Sequence, residues 1–262
     1  PFLLAASPDI SVDAHYSIIP PIRLPDAGMI FQATENFKMY AAGRERIMAL
    51  SSGRPDVPIF CLARFDDAYR AGEVFFSLDY LLQAFGERFP HPLFHPLFRT
   101  LIVSCLAMGI GLLVHGCGID AGGRGFLFAA SSNRGKTTMA RLWESTGSGT
   151  VLYDERILLR EREGRLWIFG TPWHGELPHV SPNGVPLEKI FFPDHAPSNA
   201  IRARAGAAAA AALLSHSYQP VWDRAGLEFA LEFGRRVVSE VPCFNLGFVP
   251  DGSVVDFVRC GE

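Results

Sequence analysis

The chain has 262 residues, 48% hydrophobic and 19% charged, with a formal net charge of −3. It can bury the core of one large domain or two small ones, which excludes an intrinsically disordered chain. The charge argues against a strong nucleic-acid footprint, with a local basic patch still open. The five scattered cysteines (Cys61, Cys105, Cys117, Cys243, Cys260) form no C-x-x-C pair, so neither a zinc site nor a disulfide framework is indicated.

The plainest setting for such thiols is the reducing cytoplasm. The sequence starts at Pro1 rather than Met, so residues are expected to precede it.

Residues 10–80 read as strand-rich, with runs at Gly28–Ala33, Val57–Ala63 and Val74–Leu78 separated by Pro, Gly and Asp. Ser77 is placed to cap a helix over 78–88. A proline-rich break follows, in which His91 and His95 read as a turn rather than a metal site. Residues 97–108 predict a buried helix. Leu101–Val114 is apolar, but it is shorter than the roughly 20 residues needed to span a bilayer and is interrupted by Gly109 and Gly111. It therefore reads as a buried helix running into a buried strand, and no membrane association is expected.

Leu112–Ile119 and Phe126–Ala130 predict two strands joined by a Gly-rich turn. A helix starts near Gly135, with Met139, Leu142 and Trp143 at i, i+3 and i+4 on one face, and Gly147 and Gly149 end it. Thr150–Tyr153 is a short buried strand. Ile157–Arg160 and Leu166–Phe169 flank Glu163-Gly164 as a hairpin. A strand at 187–192, an alanine-rich helix at 205–215 and an amphipathic helix at 223–240 follow. Cys243–Val249, a Pro-Asp-Gly turn and Val254–Val258 read as a final hairpin. With no repeat and no linker, all 262 residues are expected in one domain, with a β-rich part over 1–95 and a core over 97–260.

One segment names a ligand class. Ala130-Ser-Ser-Asn-Arg-Gly-Lys-Thr137 fits the phosphate-loop pattern G-x-x-x-x-G-K-[ST] except for alanine at its first position. Backbone N–H groups over Ser131, Ser132, Asn133, Arg134, Gly135, Lys136, Thr137 and Thr138 can wrap phosphates, and the helix that begins there adds the positive end of its dipole. Lys136 can reach the β- and γ-phosphates of ATP, and the Thr137 hydroxyl can ligate magnesium. Asp154 and Glu155 stand 18 and 19 residues after Lys136 at a strand end. A carboxylate there can hold the metal or take a proton from a nucleophile. An acidic pair beside Arg156 is also what a solvated strand end looks like.

His115 on the preceding strand, the hairpin, the loop and the acidic pair come in an order that resembles the kinase domain of the HPr kinase/phosphorylase family. Gly170–Glu176, Pro186–Phe192, Glu240–Phe244 and Pro250–Gly252 are similar to further blocks of its relatives. The resemblance covers roughly 97–260. It implies an α/β fold with a mixed sheet, a P-loop core like that of phosphoenolpyruvate carboxykinase with an N-terminal β-rich extension, C-terminal helices and a β-hairpin.

It further implies ATP and magnesium as cofactors and a hydroxyl acceptor, Ser or Thr of a peptide or protein or else a small-molecule alcohol. Lys136, Asp154, Glu155 and His115 would be the catalytic residues, with Thr137 and Asp154 at the metal. The family often forms homo-oligomers. The first 95 residues do not resemble the N-terminal domain of the classical enzyme, and a nucleotide-binding partner protein with little transfer activity stays open beside the kinase.

Which of Asp154 and Glu155 is the base is not fixed by sequence. A lone histidine such as His115 in an apolar strand is, on its own, as readily a core residue. His174 and Glu176, after the rigid Thr171-Pro-Trp turn, are candidates for an acceptor pocket. Arg202 and Arg204 are candidates for a phosphate or acidic-substrate clamp, though a solvated face would look the same.

Overall fold

The computed structural model describes residues 11–17, 28–34, 36–51, 59–77, 82, 97–132, 134–172, 177 and 181–260. The chain expected as one domain packs as two compact units, one over Leu4–Met108 and one over Gly109–Glu262. The division falls after the helix at 97–107 rather than before it.

The first unit holds a six-stranded sheet of β1 (Ser11–Ser17), β2 (Met29–Thr34), β3 (Phe37–Ala42), β4 (Glu45–Leu50), β5 (Cys61–Asp66) and β6 (Ala71–Ser77), in the order β1-β6-β5-β4-β3-β2. Strands β2 to β6 form an antiparallel meander, and β1 joins β6 in parallel. Helix α1 (Leu97–Ala107) belongs to this unit, and its Cys105 thiol donates to the Tyr69 carbonyl at 3.3 Å. The helix expected over 78–88 lies, apart from Leu82, outside the described residues. Among the described residues no helix is long and apolar enough to cross a membrane.

The second unit is a mixed α/β layer structure. Its eight strands are β7 (Gly111–Asp120), β8 (Gly125–Ala129), β9 (Thr150–Tyr153), β10 (Arg156–Arg162), β11 (Arg165–Phe169), β12 (Gly184–His195), β13 (Ala200–Arg204) and β14 (Cys243–Phe248), in the order β11-β10-β7-β8-β12-β14-β13, with β9 also on β7. The first half of β7 pairs with β10, and the second half lies between β8 and β9. Both β8 and β9 run antiparallel to β7, so they point the same way. Strand β12 is parallel to β8 and to β14. Four strands therefore end on one edge, at Ala129, Tyr153, His195 and Phe248. In open α/β sheets that edge is where ligands bind.

Local chemistry explains several of these elements. Glu163 and Gly164 both take positive φ, 54° and 72°, the backbone of a type I′ turn whose twist suits a two-residue hairpin. Helix α2 (Lys136–Ser145) buries Met139, Ala140 and Trp143, while Leu142 of the expected face is half-buried. Trp143 meets Phe126 and Phe128 of β8, and Phe128 stacks on Phe191 of β12 at 5.2 Å. Helices α3 (Gly206–Ser215) and α4 (Arg224–Glu240) follow. The Asp223 side chain caps α4 by accepting from the Ala225 N–H.

The C-terminal hairpin is corrected. Strand β14 pairs with β12 and β13, and Ser253–Cys260 is a helix, α5. Its valines fall at i, i+1 and i+4, and all three are buried. Burial of one helical face outweighs the β preference of valine.

Candidate functional site

The loop over 130–135 leaves β8 at the shared strand edge and enters α2. Gly135 sits immediately before α2 with φ +90°, a conformation that L side chains rarely adopt. A Cβ there would also come within 2.4 Å of the Phe248 ring, so packing and backbone both require glycine. Helix α2 has no side-chain cap among the described residues and no acid in its first turn. The positive end of its dipole favours an anion there.

The Lys136 ammonium donates to the Ser131 carbonyl at 2.7 Å, folding the side chain back across the loop. The Thr137 hydroxyl lies 3.5 Å from a carboxylate oxygen of Asp154. Asp154 is 2% exposed. Parallel β8 and β9 make this meeting possible, because the loop after one and the acid after the other stand on the same edge. Glu155 differs from its neighbour: its carboxylate takes a 2.8 Å ion pair with Arg156 and is about one third exposed.

His115 is joined by backbone to both sides of this site. Its carbonyl accepts from the Ala130 N–H at 3.3 Å, and the next N–H, of Gly116, donates to the Glu155 carbonyl at 3.1 Å. Burial, then Lys136, Arg156 and His216 nearby, lower its pKa from 6.5 to about 4. The imidazole is therefore neutral at pH 7.

A cleft of about 380 Å3 opens beside the loop. Ala130, Ser131 and Arg134 form one wall, and the ends of β12 and β14 with Arg204 and His216 form the other. Arg134 is neutralised by Asp194 at 2.8 Å. His216 has a lowered pKa, from burial first and then from Lys136 and Arg204, which places these three groups in one electrostatic neighbourhood.

The structure thus brings Ser131, Gly135, Lys136, Thr137, Asp154 and His115 together, with Glu155 turned to Arg156. Ser132 is exposed and Thr138 half-buried at the loop–helix junction. Arg204 lines the cleft, whereas Arg202, on the same strand, is exposed and outside its lining. Asn133, His174 and Glu176 lie outside the described residues. Sequence reasoning passed over Asp194, His216 and Asn245. Asp194 had a signal, an acid at the end of an apolar strand just as at Asp154. His216, after an alanine-rich helix, and Asn245, within a short strand, had none, because long-range register sets their neighbours.

No family model matches the chain, and no curated protein matches it. Among solved structures the HPr(Ser) kinase/phosphatase from Coxiella burnetii is similar at 12% identity and a TM-score of 0.32, over 56% of this chain and 86% of that one. The relation is distant, and at that level the likeness carries neither residue roles nor an activity to this chain.

Proposed function

We propose that the protein is an ATP- and magnesium-dependent kinase that transfers the γ-phosphate to a hydroxyl, that of a Ser or Thr in a peptide or protein. The observation that carries this reading is the approach of the Thr137 hydroxyl to the Asp154 carboxylate at the start of an uncapped helix. A hydroxyl and a carboxylate are hard oxygen donors suited to magnesium, and the N-terminal end of a helix beside them suits phosphate.

In this reading Lys136 leaves the Ser131 carbonyl for the phosphate oxygens, and the loop N–H groups hold the β-phosphate. Thr137 and Asp154 would hold the magnesium ion, which supplies charge neutralisation for the departing diphosphate. The acceptor oxygen forms a bond to the γ-phosphorus as the bond to the bridging oxygen breaks. The hydroxyl proton passes to the carboxylate pair. Neutral His115 beside Lys136 adds no positive charge that would weaken the carboxylates as bases.

Titration calorimetry with magnesium and ADP tests this. Lys136→Ala should weaken nucleotide binding at least about tenfold, the loss expected for a charge-assisted contact. Thr137→Val should remove the dependence of binding on magnesium. Unchanged binding in both variants would contradict the reading.

The Glu155–Arg156 ion pair favours one alternative, a nucleotide-binding module without transfer, because it engages the second carboxylate of the pair. Tight ATP binding with no loss of γ-phosphate to any acceptor would select it.

A further inference from the structure

Of the arginines that line the cleft, Arg134 pairs with Asp194, and Arg204 differs from it. The hydrogen bonds of Arg204 go instead to neutral acceptors: Nε donates to the Ala208 carbonyl and Nη1 to the Asn245 side-chain oxygen, both at 3.0 Å. Its guanidinium also lies 5.1 Å from the centre of the Phe192 ring, a cation–π arrangement. Three contacts therefore fix the orientation of the group, and none cancels its charge.

A fixed guanidinium in a cleft, with no acidic partner among the described residues, is arranged for an oxyanion, because its planar fork matches carboxylate and phosphate oxygens. Two of its neighbours add donors, and the acid in the lining, Asp194, is paired with Arg134. Asn245 commits its oxygen to Arg204, which leaves its amide N–H groups for a ligand. His216 lines the same cleft, and its ring can donate one N–H. The cleft, at about 380 Å3, falls in the range of small-molecule sites and extends from the loop towards Arg204.

We propose that Arg204, with His216 and Asn245, forms a second oxyanion subsite beside the loop, and that this subsite holds a carboxylate or phosphate group carried by the acceptor. The proposal rests on the kinase reading above and deepens it: the favoured acceptor is a hydroxyl compound or peptide with an acidic group near the hydroxyl. Asp194 does not oppose this, because Arg134 of the facing wall pairs with it at 2.8 Å.

The test uses the full chain. Inorganic phosphate is titrated into protein saturated with magnesium and ADP, for wild type, Arg204→Gln and Arg204→Lys. Wild type should bind phosphate. Arg204→Gln should bind it at least about tenfold more weakly, with ADP affinity within about threefold of wild type. Arg204→Lys, which keeps the charge but not the fork, should fall between. A purely structural role for Arg204 would move ADP affinity and thermal stability in the glutamine variant and would not be graded by charge, and that result overturns the proposal. Equal phosphate binding in all three proteins also overturns it.

A second arm separates a group on the acceptor from free phosphate. Transfer from ATP is compared for short serine peptides with and without a glutamate two residues from the serine. Wild type should prefer the acidic peptide, and Arg204→Gln should lose the preference. Arg204-dependent phosphate binding without a peptide preference overturns the assignment to the acceptor. Failure of the kinase reading would show differently, as ADP binding that ignores Lys136→Ala.

Discussion

His115 shows how a single residue reports on the whole site. Its pKa is depressed from 6.5 to about 4, first by burial and then by Lys136, Arg156 and His216. The folded state therefore resists a proton that the unfolded chain accepts below about 6.5. Stability is fully present above pH 6.5, falls as the pH drops towards 4, and levels off below that. His216 is shifted the same way and adds to the slope. His115→Gln should remove up to about one proton from the uptake linked to unfolding in that window. Denaturant midpoints measured from pH 4 to 7 check this, and an unchanged slope would contradict a half-buried, neutral His115.

Helix α2 is the element that connects packing to chemistry. Its N-terminus faces the loop, and its other face is held by Trp143 between Phe126 and Phe128. Trp143 is fully buried. Its truncation to alanine should cost about 3–5 kcal/mol, read as a loss of unfolding free energy. Trp143→Phe should cost less, because it keeps the ring contacts and removes an indole N–H that has no partner among the described residues.

The strand, loop and helix from Gly125 to Ser145 were legible in the sequence because each is specified locally, by an apolar run, a glycine and a 3.6-residue period. The position of Asp154 at the end of a short apolar strand was legible for the same reason. The final helix was not, since Val254, Val255 and Val258 fit a short strand by residue type, and only the burial of one face decides. Strand β13 was missed because it is a short edge strand with two arginines. The cleft was read only through Arg204, because its other wall is assembled by the register of β12, β14 and β13, which no local pattern encodes.

At the scale of the whole molecule, the strands that position the site all lie in the unit over Gly109–Glu262. Every described residue of the loop, the acidic pair and the cleft belongs to it. A fragment of residues 109–262 should therefore unfold cooperatively in a thermal scan and keep magnesium–ADP affinity within about tenfold of the full chain. A fragment without a cooperative transition would show that the division in the fold is not a division in stability.

The central claim is that the loop at 130–137 and Asp154 form one phosphoryl-transfer centre. Asp154→Asn separates binding from chemistry, because it is nearly isosteric and leaves Lys136 and the loop N–H groups in place. The direct measurement is single-turnover transfer from γ-labelled ATP to a serine-containing acceptor, alongside ADP affinity, in wild type and Asp154→Asn. The account predicts ADP binding within about tenfold of wild type and transfer slowed by at least about 100-fold, the scale of losing an acid–base group. Transfer at a near wild-type rate in Asp154→Asn would contradict it.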